Sequence, residues 1–172
     1  LASEAFLQAA TLSMEMGDLP AAAKSLNQIV TNYGESKSAV FARMELAKIA
    51  EAEGRTADAI QLYRDVLSGS NDPDIQDDAS LRLASLLRRT GNFNEAISLY
   101  QRVAGSSSVV SVYSARLELV PALLNAGRIE EARALYQSLT PSARADLAAK
   151  YATIPLVLNG VSGTAVPNGA YV

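Results

Sequence analysis

The feature that most constrains this chain is a short phrase that recurs at a nearly fixed interval and begins with glycine. The copies read GDLPAAAKSL, GRTADAIQLY, GNFNEAISLY and GRIEEARALY. Their glycines lie 37, 37 and 36 residues apart, at Gly17, Gly54, Gly91 and Gly127. Since the whole sequence contains only 10 glycines, this spacing indicates an internal repeat. A period in this range is typical of stacked helical hairpins.

Apolar residues on both sides of each glycine predict two helices per repeat. Before the glycine they follow at spacings of four, three and one, and after it at four and three, which puts each set on one helical stripe. In the second repeat these are Ala42, Leu46, Ile49 and Ala50, then Ala59, Tyr63 and Val66. The third has Ala79, Leu83, Leu86 and Leu87 with Ala96, Tyr100 and Val103, and the fourth Ala115, Leu119, Ala122 and Leu123 with Ala132, Tyr136 and Leu139. Alanine at the crossing lets two helices approach closely, while glycine permits a left-handed turn between them.

Helix starts are marked by residues whose side chains accept hydrogen bonds from free backbone amides. The candidate caps are Asp18, Thr56, Asp72, Asn92 and Thr140. Asn92 with Glu95 has the spacing of a capping box, and Pro73 and Pro141 suit the first position of a helix. We therefore expect nine helices: four hairpins at about 4–34, 37–70, 74–105 and 110–140, and a terminal helix at 141–153.

The last residues, 154–172, change in character. Pro155, Gly160 and the later glycines and prolines oppose a helix, so the sequence predicts an extended C-terminal tail. Leu156 and its apolar neighbours need cover from water. We expect the tail to pack on its own domain, and the alternative is that it enters the groove of a neighbouring copy as an extended strand.

Composition excludes several classes of function. The chain has no histidine and no cysteine, which removes the usual zinc sites and the catalytic triads. With 15 basic and 18 acidic side chains, its net charge of -3 has the wrong sign for a nucleic-acid binder. The acidic stretch at 72–78 lacks the glycine and the final glutamate of a calcium loop. We therefore expect no enzyme activity, no cofactor, no metal site and no nucleic-acid partner.

The repeat resembles the tetratricopeptide repeat, W-x2-L-G-x2-Y followed by A-x3-F and P. Leu46-Ala47 stands at the Leu-Gly position, and Ala59 with Tyr63 at the Ala and Phe positions. The chain departs from the pattern because Arg43 occupies the Trp position, as Ser80 and Arg116 do in later repeats, and the closing proline is missing. The resemblance implies an all-α fold over residues 1–153, a right-handed α-solenoid of four hairpins plus a terminal helix.

A narrower resemblance concerns the bacterial ancillary Sec translocon subunits. These subunits have a Tyr-Pro-x-Ser link, which residues 33–36 match except that Gly34 replaces the proline. They also have an Asp-Pro pair, matched by Asp72-Pro73, and an Arg-Leu-Ala run, matched by residues 82–84. This likeness implies a periplasmic domain in the bacterial envelope, anchored to the inner membrane through sequence upstream of Leu1. Other envelope repeat proteins share the link, and a cytoplasmic location is the remaining alternative.

The tetratricopeptide register also implies which side chains line a concave binding face. They are Leu7, Thr11, Met14, Phe41, Met44, Lys48, Leu81, Ser85, Arg88, Leu117, Leu124 and Asn125. Leucine and methionine adapt to varied partners, and Lys48 and Arg88 suit a carbonyl or carboxylate. The expected function is a scaffold that binds protein or peptide segments. The alternative is a self-association module that forms a homodimer through the apolar face and the tail.

Overall fold

The computed structural model of the chain describes residues 2–159, and the regular structure within them is entirely α-helical. Its ten helices are α1 (Ala2–Glu15), α2 (Leu19–Asn32), α3 (Lys37–Ala52), α4 (Thr56–Gly69), α5 (Pro73–Arg89), α6 (Phe93–Ala104), α7 (Val109–Asn125), α8 (Ile129–Ser138), α9 (Pro141–Lys150) and α10 (Ile154–Leu158). The predicted all-α fold of repeated hairpins is confirmed.

The chain divides into two compact units, residues 1–83 and 84–172, and the division falls within α5. In the first unit, α1 packs on α2 and α3 on α4, while α3 also contacts α1 and α2. In the second unit, α7 packs on both α6 and α8, and α10 contacts α8 and α9. Each unit therefore has its own set of helix contacts.

The glycine that starts each phrase makes the turn between the two helices of a hairpin. Gly17, Gly54, Gly91 and Gly127 all have a positive φ, between 73° and 85°. The residue after each glycine donates its backbone N–H to a carbonyl five positions earlier, as Arg55 does to Ala50 at 2.8 Å. This bond satisfies a carbonyl at the end of the preceding helix. The left-handed conformation predicted for these glycines is thus confirmed.

The predicted apolar stripes form the interior. Ala59, Tyr63 and Val66 of α4 are fully buried, and so are Ala96, Tyr100 and Val103 of α6. In the first unit the main cluster consists of Ala10, Ala22, Leu26, Ile29, Ala39, Ala42, Leu46 and Ile49. Because four of these eight are alanines, the helix backbones can pack closely, as the repeat pattern predicts.

Three of the five predicted caps are confirmed. Asp18 accepts a hydrogen bond from the Ala21 amide at 3.0 Å. Asp72 accepts from two amides of α5, and Thr140 accepts from the Ala143 amide at 3.2 Å. These side chains satisfy donors that the first turn of a helix otherwise leaves unpaired.

The predictions for Thr56 and Asn92 were wrong. Helix α4 already includes Thr56, whose hydroxyl donates back to the carbonyl of Gly54. Asn92 occupies the N-cap position of α6, but its side chain accepts no hydrogen bond from the amides of that helix. Its NH₂ group donates to the Thr90 hydroxyl at 3.4 Å. The proposed capping box with Glu95 therefore does not form at Asn92.

The prediction of an extended tail from residue 154 was also wrong at its start, where Ile154–Leu158 forms α10. Pro155 lies in the first turn of that helix, where its missing N–H costs nothing. Ile154 and Leu158 are buried, and the Leu158 carbonyl accepts a hydrogen bond from Arg133 at 3.1 Å. This segment packs on its own chain, and residues 160–172 lie outside the described residues.

Candidate protein-binding surface

In the first unit, the predicted binding positions lie on α1 and α3, two helices that contact each other. Leu7 and Met14 of α1 are half-buried and pack against the apolar cluster of this unit. Thr11, between them on the same stripe, is exposed, and its hydroxyl donates to the Leu7 carbonyl at 3.0 Å. This stripe therefore supports the core and also presents part of its surface to solvent.

On α3, Phe41 is the aromatic residue of the predicted set, and it is 41% exposed. Lys48 lies two turns further along the helix. Its ammonium group donates to Glu45 at 2.8 Å and remains about one-third exposed. The structure thus leaves an aromatic ring and a tethered cation accessible on α3.

Met44 does not lie on an open surface, because it is only 5% exposed. Leu124 of α7, in the second unit, is likewise buried at 2%, and so is Asn125. The prediction that Met44, Leu124 and Asn125 lie on an accessible ligand-binding face was therefore wrong. The periodicity of a single helix cannot show which of its sides the other helices cover, because that depends on packing.

Leu81 and Ser85 on α5 are each half-buried, as is Leu117 on α7. They contribute less accessible surface than the register alone suggests. Among the apolar residues of the predicted set, Phe41 is the most accessible in the described part of the chain.

Arg88 is the largest departure from the expected ligand-binding role. Its side chain is 4% exposed and forms an ion pair with Glu118 at 3.2 Å. It also donates to the hydroxyl of Tyr151 at 2.9 Å, and that hydroxyl in turn donates to Glu118 at 2.9 Å. Lys150 pairs with the other oxygen of Glu118. Arg88 therefore holds a carboxylate of its own chain.

This polar cluster of the second unit sits in surroundings that favour neutral tyrosines. Burial, reinforced by the charge of Glu118, raises the pKa of Tyr151 to about 12. The hydroxyl of Tyr100 is fully buried and has no hydrogen-bond partner in the described residues, and burial again raises its pKa. Nearby Arg88 opposes that rise, although no hydrogen bond joins the two groups. The tyrosines here are structural.

Tyr63 of the first unit occupies the same repeat position as Tyr100, but its hydroxyl has a hydrogen-bond partner. It donates to Glu51 at 3.0 Å. Burial and the negative charge of Glu51 both raise the pKa of Tyr63, and Arg82 opposes them. Equivalent positions of the repeat thus keep the same ring while the partner of the hydroxyl differs.

A cavity in the first unit was missed by the sequence analysis. It has a volume of about 330 Å³ and lies where the turn before α3 meets the end of α4. Its lining includes Gly34, Arg43, Asp65 and Gly69. A second cavity, of about 440 Å³, shares Gly69 with it. The sequence signal that could have indicated this cavity is that Arg43 and Gly34 both differ from the residue types expected at their positions.

The acidic stretch at 72–78 serves α5. Asp72 caps the helix, and Asp78 pairs with Arg82 at 3.0 Å. Within residues 2–159, no three acidic side chains form a group able to hold a metal ion. None of the helices in the same range has the length and apolar character needed to cross a bilayer.

Repeated hairpins joined at left-handed glycines, with buried alanines at the helix crossings, define a helical-repeat protein of the scaffold class. Comparison with known families agrees: the model described as tetratricopeptide repeat-like domain matches residues 1–154. The chain belongs to the tetratricopeptide repeat-like family. No curated protein matches the sequence. The likeness to translocon subunits therefore stays a prediction.

Proposed function

We propose that this chain binds a segment of another protein through a surface centred on Phe41, and that it does so on the periplasmic side of the bacterial inner membrane. The family assignment supports the first part, since tetratricopeptide-like domains in general serve as protein-interaction scaffolds. The second part is supported by the link at Tyr33 to Ser36 and by the Asp72-Pro73 pair.

The observation that carries the binding surface is the exposure of Phe41. A phenylalanine that is 41% exposed leaves apolar surface in water on a helix that buries Ala39, Leu46 and Ala50 on its opposite side. Aromatic side chains contribute strongly at binding surfaces because they bury a large area with few rotatable bonds. Lys48, on the same helix, supplies a cation for a carbonyl or carboxylate of the bound segment.

A matched pair of substitutions tests this surface. Peptides are selected on the purified chain from a displayed library, and their binding is then measured by calorimetry with Phe41→Glu and with the control Val110→Glu. Val110 is 77% exposed on α7, outside the proposed surface. Covering the remaining exposed part of a phenylalanine contributes about 1 to 2 kcal/mol, so we expect F41E to weaken binding by roughly five- to thirtyfold.

V110E should bind as the unchanged chain does. Equal affinity for both variants would show that the surface is wrongly placed. Met44 is unsuitable for this test because it is buried, and glutamate there would disrupt folding.

Localisation is tested separately from binding. The protein is followed in fractionated bacterial cells that express its natural gene, with protease added to spheroplasts. Degradation in intact spheroplasts is the expected result. Full protection together with recovery in the cytosol would refute the envelope assignment and leave peptide binding untouched.

Self-association is the second candidate function, and one observation favours it. Val109 and Val110 are 82% and 77% exposed at the start of α7, an unusual exposure for two adjacent apolar residues. Light scattering across a dilution series separates the candidates. A dimer that persists on dilution and is abolished by V109S/V110S supports the self-association role, and a monomer throughout rejects it.

A further inference from the structure

One side of α1 presents a stripe of apolar side chains to solvent. Leu12 is 58% exposed and Met16 is 76% exposed, and Ala5 and Ala9 beside them are exposed as well. These four residues, called the α1 stripe below, follow at spacings of four, three and four, which puts them on one side of the helix. A different side of α1 packs into the core of the unit, where Ala10 is fully buried. A helix with apolar residues on more than one side is typically covered on more than one side.

The repeat gives the α1 stripe a counterpart on α3, the first helix of the second hairpin. Thirty-seven positions after Ala5, Ala9 and Leu12 stand Ala42, Leu46 and Ile49. All three counterparts are buried, with exposures of 7% or less. The residues of α2 that belong to the same apolar cluster are Ala22, Leu26 and Ile29. On α3, therefore, this stripe is the contact with the hairpin that precedes it.

The second unit uses the same stripe in the same way. On α7, the first helix of the fourth hairpin, the counterparts are Ala115, Leu119 and Ala122. They are at most 6% exposed, and α7 packs on α6, the second helix of the hairpin before it. The structure thus shows twice what covers this stripe, which is the second helix of a preceding hairpin. Within residues 2–159, no such helix covers the stripe on α1.

The outer side of α1 lacks the polar residues that usually close a helical repeat. Terminal repeats of such proteins carry a polar outer face, because no further repeat covers them. The last hairpin of the second unit is covered in another way, since α10 contacts α8 and buries Ile154 and Leu158. The α1 stripe has neither a polar face nor a covering helix of this kind in the described residues. Adjacent exposed apolar side chains such as Leu12 and Met16 mark an interaction surface.

We propose that the α1 stripe docks an amphipathic helix of another protein, whose apolar face has the spacing that α2 presents to α3: alanine, leucine four positions later and isoleucine three after that. Alanines at Ala5 and Ala9 let a helix backbone approach closely. A helix fits because its backbone groups are paired internally, and this stripe of side chains offers none to pair with an extended segment. The inference goes beyond the surface around Phe41, whose counterpart on α1 is Glu4, outside the stripe.

The probe is a fluorescein-labelled peptide with the α2 sequence, DLPAAAKSLNQIVTNY, residues 18–33. Isolated helices of this length are marginal in water, so Gln28→Glu is introduced and joined to Lys24 by a lactam bridge. Both positions are exposed on α2, which keeps the bridge away from the apolar face. Fluorescence anisotropy with the full chain should show saturable binding, with a dissociation constant on the order of 100 micromolar for a single helix contact. The bridged peptide with Leu26→Glu should not bind.

Variants of the chain place the binding on the α1 stripe. Leu12→Glu should weaken binding about tenfold or more, because it puts a charge into an apolar contact. The matched control Leu156→Glu, at a leucine that is 47% exposed on α10, should leave binding unchanged. Ala9→Gln lengthens an exposed side chain where the helices approach, and it should also weaken binding and provides the test if L12E does not fold. F41E should have no effect, so that this test and that of the proposed function fail independently.

Four results would overturn the proposal. One is the absence of saturable binding of the bridged peptide. Another is unchanged binding by both L12E and A9Q, which would place the peptide elsewhere on the chain. The third is a dimer in sedimentation velocity that L12E dissociates, which would assign the stripe to a second copy. The last is loss of peptide binding when the chain is extended by the residues that its gene encodes before Leu1, which would assign the stripe to a segment of its own chain.

Discussion

Replacing Glu118 with glutamine should destabilise this protein much more than replacing its partner Arg88 with methionine. Arg88 is 4% exposed and Glu118 17%, so their ion pair is largely removed from water. E118Q keeps the shape but leaves the charge of Arg88 buried without compensation. Breaking a buried pair in this way typically costs about 3 to 5 kcal/mol. Since Glu118 retains some solvent contact, we expect the lower end, about 3 kcal/mol.

R88M removes the buried charge itself. It also removes two guanidinium nitrogens, Nε and Nη1, that are buried without a hydrogen-bond partner in the described residues. Glu118 would still have the ammonium of Lys150 and the hydroxyl of Tyr151. We therefore expect a cost of about 1 kcal/mol or less, because an unsatisfied buried donor itself costs about 1 to 3 kcal/mol.

The assay is urea unfolding followed by circular dichroism, with both single variants and the double variant R88M/E118Q. The double variant should resemble R88M, which gives a coupling energy of about 3 kcal/mol between the two positions. Equal costs for the two single variants, or additive costs in the double variant, would show that Arg88 is not held by Glu118 as described. Arg88 would then again be a candidate for binding a ligand.

The remaining predictions concern turns, caps and alkaline pH. Gly54→Ala should lower the free energy of unfolding by about 1 kcal/mol or more, because Gly54 has a φ of +73° and the added methyl group meets no neighbouring atom, so the cost comes from backbone conformation alone. The control Gly105→Ala, at a negative φ, should change it by only a few tenths of a kcal/mol. Similar urea midpoints for the two variants would contradict this prediction. Thr140→Ala should lower the free energy of unfolding by about 1 kcal/mol, and Asn92→Ala by clearly less, because of these two residues only Thr140 accepts a backbone amide hydrogen bond. Thermal unfolding of the two variants tests this order. The pKa of Tyr151 rises from 10.0 to about 12 in the folded chain, so between these values the folded state keeps a proton that the unfolded state loses. The contribution of Tyr151 to the free energy of unfolding should therefore be constant below pH 10 and fall as the pH rises toward 12. Tyr151→Phe should make that decline smaller, and an unchanged decline in the urea midpoint would reject the assignment.

The hairpins were predictable because their determinants are local. The second repeat, predicted at 37–70, comprises α3 and α4 from Lys37 to Gly69. Its turn depends on Gly54 and its crossing on Ala59, residues whose requirements are set within one hairpin. The caps were less predictable, since Thr56 lies already inside its helix and its hydroxyl turns back to Gly54. A shift of one residue at a helix start is enough to remove a cap.

The candidate binding surface was predictable only in part. The exposure of Phe41 agrees with its predicted position, while Met44, three residues further along α3, is buried. Helical periodicity places both on one stripe, but the width of the stripe that remains in solvent depends on how neighbouring helices pack. The same limitation explains Leu124.

What the sequence by itself determined is the repeating unit: two helices, a glycine with positive φ between them, and alanines where the helices cross. These depend on backbone conformation and side-chain size within some 35 residues, which the spacing of residue types expresses directly. The tertiary structure alone decided how the charged groups pair. Arg88 pairs with Glu118 thirty positions away, whereas Arg43 lines the same cavity as Glu35 and Asp65 without forming an ion pair among the described residues. Ion pairing depends on distances of a few ångströms between residues remote in sequence, and only the packed helices set those distances.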